Sequence, residues 1–481
     1  MMTLVAAVLS GLLWLGGTGL HPIWGLTWVA PLPLLLASFR VRARTALGAA
    51  VLAWLIGQLG VLAYYHVTLS MPVPEVAGVV LLGAALAAGT VLLARALLLR
   101  GRTATAVLAV PALWVLGEYA ASRLLPHGAW WSLAYTQADV RPVIQLTALT
   151  GVWGVTYLLV AVPVALAALR MSPRVAVACL LAVVAAAGGW SAWSLSRPTA
   201  GTGALTVGLA AMEQSDDGLP VDQASGRDLL ARYVPRVAGL AARGARVVVL
   251  PEKVFGVTDT TLPVVVDAFR PVTSGGTSVV VGAVLRRPDT ANNVALVLGA
   301  GGTVTPYAKQ HLIPGLEDWL TPGHDDVIVD GRFGVAICKD LDFPGLVRRY
   351  RAQGARVMLV PALDFTSDGW LHSRMALVRG VEDGLTVVRA ADYGRLTVTD
   401  ARGRVLGEDD AQLLVTMRPA AQGTVYARTG DWFPVAAVPL FLLALWSSRT
   451  RAERVTRRTG ACPPPDRPRR PGRRRSLAGG G

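Results

Sequence analysis

Seven long apolar stretches occupy the first 195 residues of the chain, and an eighth precedes its C-terminal tail. An α-helix needs about 20 residues to cross a hydrocarbon core of about 30 Å, and most of the seven approach that length. Their bounds are roughly 4–20, 24–39, 45–65, 76–99, 105–122, 147–169 and 174–195, and the eighth covers 432–446. Charged residues make up only 16% of the chain, against about 25% in soluble domains. The pattern predicts a multi-span α-helical membrane protein.

Basic residues alternate between the loops that join these stretches. The loop around His21 and the loop at 66–75 contain no Lys or Arg. The loop between them contains Arg40, Arg42 and Arg44, and arginines also follow the fourth stretch and flank the sixth loop. Because cytoplasmic loops are enriched in Lys and Arg, this alternation, which only the fifth loop breaks, predicts a cytoplasmic N-terminus. The segment after the seventh stretch is then expected outside the cytoplasm.

The composition changes at about residue 202 to that of a soluble α/β domain, which continues to about residue 428. Runs rich in β-branched residues predict strands at 205–212, 246–250, 278–284, 293–298, 334–338, 356–360, 386–390 and 396–400. Helical spacing of apolar residues predicts helices at 227–243, 345–351 and 371–381. The predicted organisation is a seven-span transmembrane domain at 1–200, the α/β domain at 202–428, a final transmembrane helix at 431–447 and a basic tail at 448–481.

The basic tail holds a large share of the positive charge. From Arg449 onward it contains eleven arginines against two acidic residues, Glu453 and Asp466, so that it carries +9 of the net charge of +15. Its proline and glycine content favours disorder. We interpret it as a cytoplasmic anchor on anionic lipid headgroups rather than as a nucleic-acid-binding segment.

Cys338 ends an apolar run, Gly-Val-Ala-Ile, that is typical of a buried strand, and a polar turn closed by a proline follows it. A cysteine at such a junction would have its sulfur at the edge of a sheet, open to a cleft. The alternative is a buried structural cysteine, because free cysteine is among the most buried residue types. The other two cysteines, Cys179 and Cys462, lie in different segments, so that no disulfide framework is expected.

Two further polar residues follow predicted strands of the same domain. Glu252 ends the run Val-Val-Val-Leu-Pro-Glu, and Lys309 lies in Tyr-Ala-Lys-Gln-His-Leu after a predicted hairpin that turns at 299–302. Strand-Pro-Glu, Tyr-x-Lys-x-His-Leu and strand-Cys, in this order, resemble the nitrilase (carbon–nitrogen hydrolase) superfamily. The resemblance implies an α-β-β-α sandwich with a Glu-Lys-Cys triad of Glu252, Lys309 and Cys338.

Three motifs in the apolar half narrow the resemblance. They are Pro-Ala-Leu-Trp-Val-Leu-Gly-Glu-Tyr at 111–119, Trp-Trp-Ser-Leu-Ala-Tyr-Thr-Gln at 130–137 and Gly-Val-Trp-Gly-Val at 151–155. Together they resemble the apolipoprotein N-acyltransferase family, and the resemblance covers nearly the whole chain apart from the tail. It implies eight spans in a bacterial inner membrane, with a nitrilase-like domain on the extracytoplasmic face between the last two spans.

The family's chemistry implies a role for each residue of the triad and for two supporting residues. A thiol with a pKa of about 8.5 needs activation at neutral pH, and Glu252 would be the general base that removes the proton of Cys338. Lys309 would stabilise the tetrahedral oxyanion together with the backbone N–H of Lys339. Glu317, which matches the family's second glutamate, would support the lysine.

The resemblance implies a two-step acyl transfer. Cys338 would attack an acyl ester of a phospholipid donor, which leaves a thioester on the protein and a lysophospholipid. The α-amine of a diacylglyceryl-cysteine on an apolipoprotein would then accept the acyl chain. No cofactor is expected, the six histidines and three cysteines show no zinc-ligand spacing, and no nucleic-acid partner is expected.

Four positions near the triad depart from the family's pattern. Lys339 and Asp340 follow the nucleophile, where an aromatic residue and a glutamate are expected. Lys253 follows the base, where a small residue is common, and Ser367 stands where an asparagine is expected. Because these residues border the cleft, they bear on which acyl donor and acceptor the protein uses. The extra cation of Lys339 would lower the pKa of the thiol further.

Several alternatives are open at this point. A histidine can serve as the base for a cysteine, and His311, His324 and His372 lie in the same domain, although His311 is expected to orient a turn and the other two to lie on the surface. Water rather than an amine would resolve the intermediate in a membrane-anchored amidase or hydrolase. A third alternative is a non-catalytic homologue that binds lipid or lipoprotein. The loops at 317–326 and 365–370 are candidates for a mobile lid.

Overall fold

The computed structural model describes residues 1–197, 201, 203–214 and 216–449. The predicted tail at 448–481, with Cys462, therefore lies outside the described residues from residue 450 onward. The first 197 residues are mostly helical, and a π-helical turn at Tyr64–Thr68 extends one of the helices. The helices are α1 (Met2–Gly17), α2 (Trp24–Thr27), α3 (Leu32–Ser38), α4 (Ala43–Ala63), α5 (Val73–Leu98), α6 (Thr103–Ala109), α7 (Pro111–Leu124), α8 (Arg141–Ile144), α9 (Thr147–Thr150), α10 (Val152–Ala168) and α11 (Pro173–Ser196).

Five helical segments of the described chain are long and apolar enough to cross a membrane. They are Ala43–Thr68, Val73–Leu98, Thr103–Leu124, Pro173–Ser196 and, after the α/β domain, Trp432–Arg449. Three shorter apolar segments coincide with the other predicted stretches: Met2–Gly17, Trp24–Ser38 and Val152–Ala168. The second stretch is a pair of short helices separated by a turn at 28–31. The sixth begins later than predicted, because Gly151, with a φ of 69°, ends α9.

Small residues allow the long helices to pack closely around a cluster of three indoles. A Cβ on Gly57 would lie 2.6 Å from the Cβ of Trp14, so that only glycine permits this approach of α4 to α1. The rings of Trp14, Trp54 and Trp114 have centroids 5.5 to 5.9 Å apart. This aromatic cluster joins α1, α4 and α7 at the centre of the membrane domain.

The α/β domain contains two mixed sheets. Its strands are β1 (Leu205–Ala210), β2 (Leu219–Pro220), β3 (Val247–Val249), β4 (Phe255–Thr258), β5 (Ser278–Arg286), β6 (Ala291–Leu298), β7 (Val304–Ala308), β8 (Val327–Val329), β9 (Phe333–Val335), β10 (Val357–Leu363), β11 (Thr386–Asp392), β12 (Leu396–Thr399), β13 (Val405–Asp409) and β14 (Gln412–Met417). The first sheet has the order β14-β1-β3-β5-β4-β2, with β6 and β7 added antiparallel beside β5, and the second has the order β13-β12-β11-β10-β9-β8.

The two sheets face each other and carry helices on their outer sides. One apolar core joins Val207 and Val249 of the first sheet to Val335 and Val388 of the second. The helices are α12 (Ala224–Ala242) and α13 (Leu262–Ser274) on the first sheet, α14 (Pro344–Ala352) and α15 (Gly369–Asp383) on the second, then α16 (Val425–Thr429) and α17 (Trp432–Arg449). The architecture is the expected α-β-β-α sandwich attached to a helical membrane domain.

Helix α15 belongs to both parts of the molecule. Ala376 on α15 packs into the core of the sandwich, whereas Leu371, Met375 and Val378 pack into the apolar core of the membrane domain. Its burial on two faces explains why nearly every residue of this helix is buried. The α/β domain is therefore seated on the membrane helices through one of its own sandwich layers.

Each predicted strand and helix of the α/β domain has a counterpart, but some boundaries and several elements differ. The predicted strand at 334–338 ends at Val335, and Cys338 instead begins a 3₁₀ helix, Cys338–Asp342. The sequence did not predict α13, whose Val-Val-Val run and prolines disguise a helix, or strands β2, β4, β8, β13 and β14. Most of these strands are short or lie at sheet margins, where the apolar pattern is weak.

Candidate active site

Glu252 lies just beyond the end of β3, between the two sheets. Its backbone N–H donates to the carbonyl of Ala362 on β10 over 3.1 Å, which ties it to the opposite sheet. One carboxylate oxygen, Oε1, accepts hydrogen bonds from Lys309 Nζ at 2.8 Å and Asn293 Nδ2 at 2.6 Å. The other oxygen, Oε2, is buried and has no hydrogen-bond partner among the described residues. Glu252 thus keeps one oxygen available to accept a proton.

Lys309 immediately follows β7 and is 1% exposed. Its ammonium lies 2.8 Å from Glu252 Oε1 and 2.8 Å from Glu317 Oε2. Burial alone would lower the pKa of Lys309, but the two carboxylates outweigh it and raise the pKa well above its ordinary value. Lys309 is therefore held as a cation.

Glu317 completes this buried cluster. Besides Lys309, it accepts hydrogen bonds from the backbone N–H of Ile313 at 2.9 Å and from Asn293 Nδ2 at 3.0 Å. Burial would raise the pKa of Glu317, yet Lys309 and Lys253 lower it from 4.5 to about 2. Lys253, one of the departures from the family's pattern, has its Nζ 3.5 Å from Glu317 and 3.1 Å from Asp217. The cluster of two glutamates and two lysines is electrically balanced.

Asn293 bridges the two glutamates and was missed by the sequence reasoning. It lies on β6, is 1% exposed, and donates from one amide nitrogen to both Glu252 and Glu317. The available signal was an asparagine directly before the apolar run Val-Ala-Leu-Val-Leu of a predicted strand. A polar side chain that is buried in a strand needs hydrogen-bond partners.

Cys338 begins its 3₁₀ helix with a φ of 42°, a conformation that is rare for a residue with a side chain. It is 8% exposed, and its sulfur lies 3.7 Å from the carbonyl of Leu363. Burial and the nearby charge of Glu252 raise the pKa of the thiol, although Lys309 and Arg389 act to lower it. The expectation of a lowered thiol pKa is therefore wrong for this state, because desolvation exceeds the cationic influence. In this state the protonated form of the thiol is therefore favoured over the thiolate.

Asp340 fixes the 3₁₀ helix of Cys338 to the segment of Lys309. Its carboxylate accepts from the backbone N–H groups of Ile337 and His311 and from the hydroxyl of Tyr307. His311 Nδ1 lies 3.0 Å from the same carboxylate, and its ring stacks on Phe343 with centroids 3.6 Å apart. These contacts occupy His311 in orienting the turn, as expected, and not in serving the thiol.

The other two histidines differ in their positions. His324 is exposed, as predicted. His372 is not a surface residue: its side chain is 17% exposed and its Nδ1 lies 3.2 Å from Asp364. The prediction failed because α15 is covered by the membrane domain, and Trp130 from that domain donates its indole N–H to His372 Nε2. Only a tertiary contact could reveal this.

Asp364, Asp368 and His372 bring three ligand atoms within 4.8 Å of one another, a spacing compatible with a cation. However, Arg389 donates two hydrogen bonds to the carboxylate of Asp364, and Tyr64 donates to Asp368 at 2.5 Å. A carboxylate already paired with a guanidinium is a poor metal ligand, so the group is better described as a hydrogen-bonded network.

A cavity at Cys338 is lined by both parts of the molecule. The α/β domain contributes Cys338, Lys339 and Arg389, and the membrane domain contributes Tyr64, Tyr65, Trp130 and Trp131. A second cavity extends among the membrane helices and shares Tyr65, Trp130 and Trp131 with the first. Its lining is predominantly apolar. The cavity at Cys338 therefore shares an aromatic wall with an apolar cavity among the membrane helices, whose lining would suit a hydrocarbon chain.

Comparison with known proteins matches both halves of the chain. Residues 10–166 match the family model of the apolipoprotein N-acyltransferase N-terminal domain, and residues 206–417 match that of the carbon-nitrogen hydrolases. The chain is 27% identical to the apolipoprotein N-acyltransferase of Geobacter metallireducens, covering 90% of this chain and 92% of that protein. It is 28% identical to that of Gloeobacter violaceus, covering 68% and 69%.

Among solved structures, an amidase from Nesterenkonia sp. is similar with a TM-score of 0.40 and 22% identity, over 47% of this chain and 92% of that chain. The two family matches divide the chain where the fold does, one on the membrane helices and one on the sandwich. The chain belongs to the apolipoprotein N-acyltransferase family, within the carbon–nitrogen hydrolase (nitrilase) superfamily.

Proposed function

We propose that this protein transfers a fatty acyl chain from a phospholipid, through a thioester on Cys338, to the N-terminal amine of diacylglyceryl-apolipoproteins. The observation that carries the proposal is the position of Cys338, which lines a cavity shared with the membrane domain and lies close enough to Glu252 and Lys309 for their charges to act on the pKa of its thiol. A water-soluble substrate would not need such a cavity. The relatives named above are acyltransferases of apolipoproteins, which supports the same acceptor.

In the first half-reaction, the free oxygen of Glu252 takes the proton of Cys338 as the sulfur attacks the ester carbonyl carbon of the donor. The oxyanion that forms is stabilised by the ammonium of Lys309 and the backbone N–H of Lys339. When this intermediate collapses, the ester C–O bond breaks and the protonated Glu252 returns its proton to the leaving alkoxide. The products are a thioester on Cys338 and a lysophospholipid.

In the second half-reaction, the α-amine of the acceptor attacks the thioester carbonyl, and Glu252 accepts the proton that the amine loses. The C–S bond breaks, the amide forms, and the proton returns to the sulfur of Cys338. The roles of Lys309 and of the backbone N–H of Lys339 are the same in both steps. Glu317 keeps Lys309 charged and directed toward the thiol throughout.

The proposal also covers the membrane in which the protein lies and its orientation there. The protein would be a multi-pass protein of a bacterial inner membrane, with its sandwich on the extracytoplasmic face and its C-terminal tail in the cytoplasm. The alternation of basic loops supports this orientation. Alkaline phosphatase fused after residue 197 should be active and green fluorescent protein fused at the C-terminus should fluoresce, whereas the opposite pair of results would reverse the topology.

Mass spectrometry of the purified protein with phospholipid tests the reaction. We expect an acyl adduct on Cys338 that persists until a diacylglyceryl lipopeptide is added, when the acyl chain appears on the lipopeptide amine. Adduct that disappears in buffer alone would indicate a hydrolase. If no adduct forms and Cys338→Ala behaves as the parent, the protein is a non-catalytic homologue.

A further inference from the structure

Lysine is scarce in this chain, and every lysine lies at the candidate site. Of the 46 Lys and Arg residues, only Lys253, Lys309 and Lys339 are lysines, and the other 43 are arginines. Lys253 and Lys309 belong to the balanced cluster with Glu252 and Glu317. Lys339 lies outside this cluster. A chain that uses arginine elsewhere thus has the compact ammonium of a lysine at position 339, and lysine and arginine are not equivalent as ligands.

Lys339 is a buried cation with few partners. It directly follows Cys338, is 8% exposed and lines the same cavity. Its Nζ lies 3.3 Å from Nδ1 of His127 and 3.9 Å from a carboxylate oxygen of Asp342. The second distance is too long for a hydrogen bond. An ammonium has three N–H donors, and a single hydrogen-bond acceptor is found for it among the described residues.

His127 serves Lys339 as an acceptor because it is neutral. Burial, and then the charge of Lys339, lower the pKa of His127 to about 4. Burial also lowers the pKa of Lys339 itself, and the carboxylate of Asp342 offsets this only in part. The described residues therefore compensate the ammonium incompletely, and an anion beside it would favour its charged form.

The two other nearby cations are already paired. Lys309 is enclosed by Glu252 and Glu317, and Arg389 donates two hydrogen bonds to Asp364. Lys309 and Arg389 are also the cations that act most strongly on the thiol of Cys338. Activation of the thiol therefore does not explain why a buried cation is present at position 339. The remaining N–H donors of Lys339 face the cavity, where no described residue accepts a hydrogen bond from them.

We propose that the ammonium of Lys339, positioned by His127, binds the phosphodiester group of the phospholipid donor. Lysine is a common phosphate ligand that acts as a point charge. A three-carbon glycerol separates the ester from the phosphate in such a lipid, and Cys338 and Lys339 are consecutive residues that line the same cavity. One lipid molecule can thus place its ester at Cys338 and its phosphate at Lys339.

This inference rests on the proposed function, and it makes Lys339 a specificity-determining residue for the donor. The acyl donor is therefore expected to be an ester that carries an anionic phosphodiester, in preference to a neutral glyceride. Because the phosphate contact is separate from the chemistry at sulfur, binding can be measured without turnover.

The test uses the full-length protein with Cys338→Ala, so that no adduct forms, and compares two short-chain lipids with identical acyl chains, dioctanoyl phosphatidylglycerol and dioctanoylglycerol. We expect Lys339→Met to weaken phosphatidylglycerol binding at least ten-fold more than dioctanoylglycerol binding, and Lys339→Arg to lose less than Lys339→Met. Arg287→Gln, which removes an exposed cation distant from the cavity, is the matched control and should change neither affinity.

Equal losses for both lipids, or no loss of phosphatidylglycerol binding, would overturn the inference. Glycerophosphoglycerol, which has the phosphodiester without acyl chains, separates the possible sources of the anion. If it competes as well as the lipid does, the site is for a soluble phosphodiester and the lipid assignment is wrong. Failure of the proposed function would appear differently, as the absence of an acyl adduct on Cys338 in the parent protein.

Discussion

Charge compensation at single residues links the buried members of the candidate site to one another. Lys309 contacts two buried carboxylates, and Asn293 supplies each of them with a further hydrogen bond. Removing one partner of such a buried group leaves an uncompensated charge, which typically costs about 3–5 kcal/mol. The free oxygen of Glu252 is the exception, since it is buried without a protein partner. An unsatisfied buried oxygen calls for an explanation, and acceptance of a proton is the explanation that the proposed function supplies.

Glu252→Gln and Lys309→Ala should each abolish acylation of Cys338. The first removes the proton acceptor, whose loss typically costs about 10²–10⁴-fold in rate. The second removes an oxyanion donor worth about 3–4 kcal/mol. The measurement is the rate of adduct formation by intact-protein mass spectrometry. His324→Ala, which changes an exposed residue of the same domain, is the control, and normal adduct formation in either triad variant would refute the assigned roles.

Glu317 should stabilise the folded protein at neutral pH, and this contribution should disappear as the pH is lowered. Its pKa is lowered in the folded protein from 4.5 to about 2, which corresponds to about 3 kcal/mol at about 1.4 kcal/mol per unit. A lowered folded pKa stabilises above pH 4.5, and the contribution is lost as the pH falls through 2. Glu317→Gln should therefore lower the thermal midpoint at pH 7, with a difference that shrinks between pH 4.5 and 2.

The matched control for Glu317 is Asp267→Asn. Asp267 is 62% exposed and pairs only with Arg270 on the surface of α13, and such pairs contribute about 0–1 kcal/mol. Its substitution should change the midpoint little at any of these pH values. A Glu317→Gln protein with the same midpoint as the parent at pH 7 would show that the buried cluster is not coupled to folding.

At the scale of elements, the site depends on how a loop of the membrane domain meets the 3₁₀ helix that begins at Cys338. Gly128 has a φ of 56°, and a Cβ there would lie 2.4 Å from the carbonyl oxygen of Asp342. The next residue, Ala129, donates its N–H to the same carbonyl at 2.8 Å. This contact brings His127 to Lys339 and Trp130 to the cavity, so that the loop forms part of the site.

Gly128→Ala should displace this loop and slow acylation of Cys338. The new methyl group would meet a backbone oxygen, and the positive φ adds about 1–2 kcal/mol of strain. Gly101→Ala isolates the strain of the positive φ, because Gly101 has a φ of 71° but no atom lies within 4 Å of the position that a Cβ would take. Both variants should lower the thermal midpoint, but only Gly128→Ala should reduce the rate of adduct formation substantially. Equal rates in the two variants would contradict the role given to the loop.

The elements also show which parts of the site the sequence can predict. Order and motif led to Glu252, Lys309 and Cys338, which follow predicted strands, and Glu317 was found because it matches the family's second glutamate. Asn293 and the Asp364–Arg389 pair were missed, since their partners lie on other strands and helices. Their roles arise from pairings more than 20 residues apart in sequence, and a one-dimensional pattern contains no information on such contacts.

At the scale of the molecule, the sandwich is attached to the membrane domain by buried polar contacts as well as by apolar packing. The hydroxyl of Tyr64 donates to Asp368, the backbone N–H of Val152 donates to Glu382 at 2.6 Å, and Arg379 bonds Tyr135. The sequence predicted two domains in succession, but α15 is buried between them and serves both. We infer that the seating of the sandwich on the membrane helices and the shape of the cavity are set together.

Tyr64→Phe tests this coupling at the 365–370 loop, one of the two lid candidates. It removes a hydrogen bond of 2.5 Å to the buried carboxylate of Asp368, and hydrogen bonds to charged groups are worth about 1.5–3 kcal/mol. Because Asp368 in turn accepts from the backbone N–H of Phe365 at 2.9 Å, its release should loosen that loop. We expect faster chymotrypsin cleavage at 365–370, followed by mass spectrometry, together with slower acylation of Cys338.

Tyr157→Phe is the matched control for this experiment. It also deletes a tyrosine hydroxyl with a hydrogen bond, here of 2.7 Å to the carbonyl of Leu108, but both partners belong to the membrane domain. Cleavage at 365–370 should therefore stay at the parent rate in Tyr157→Phe. If Tyr64→Phe is also cleaved at the parent rate, the loop is held by the sandwich alone, and the membrane helices would then support the site without controlling access to it.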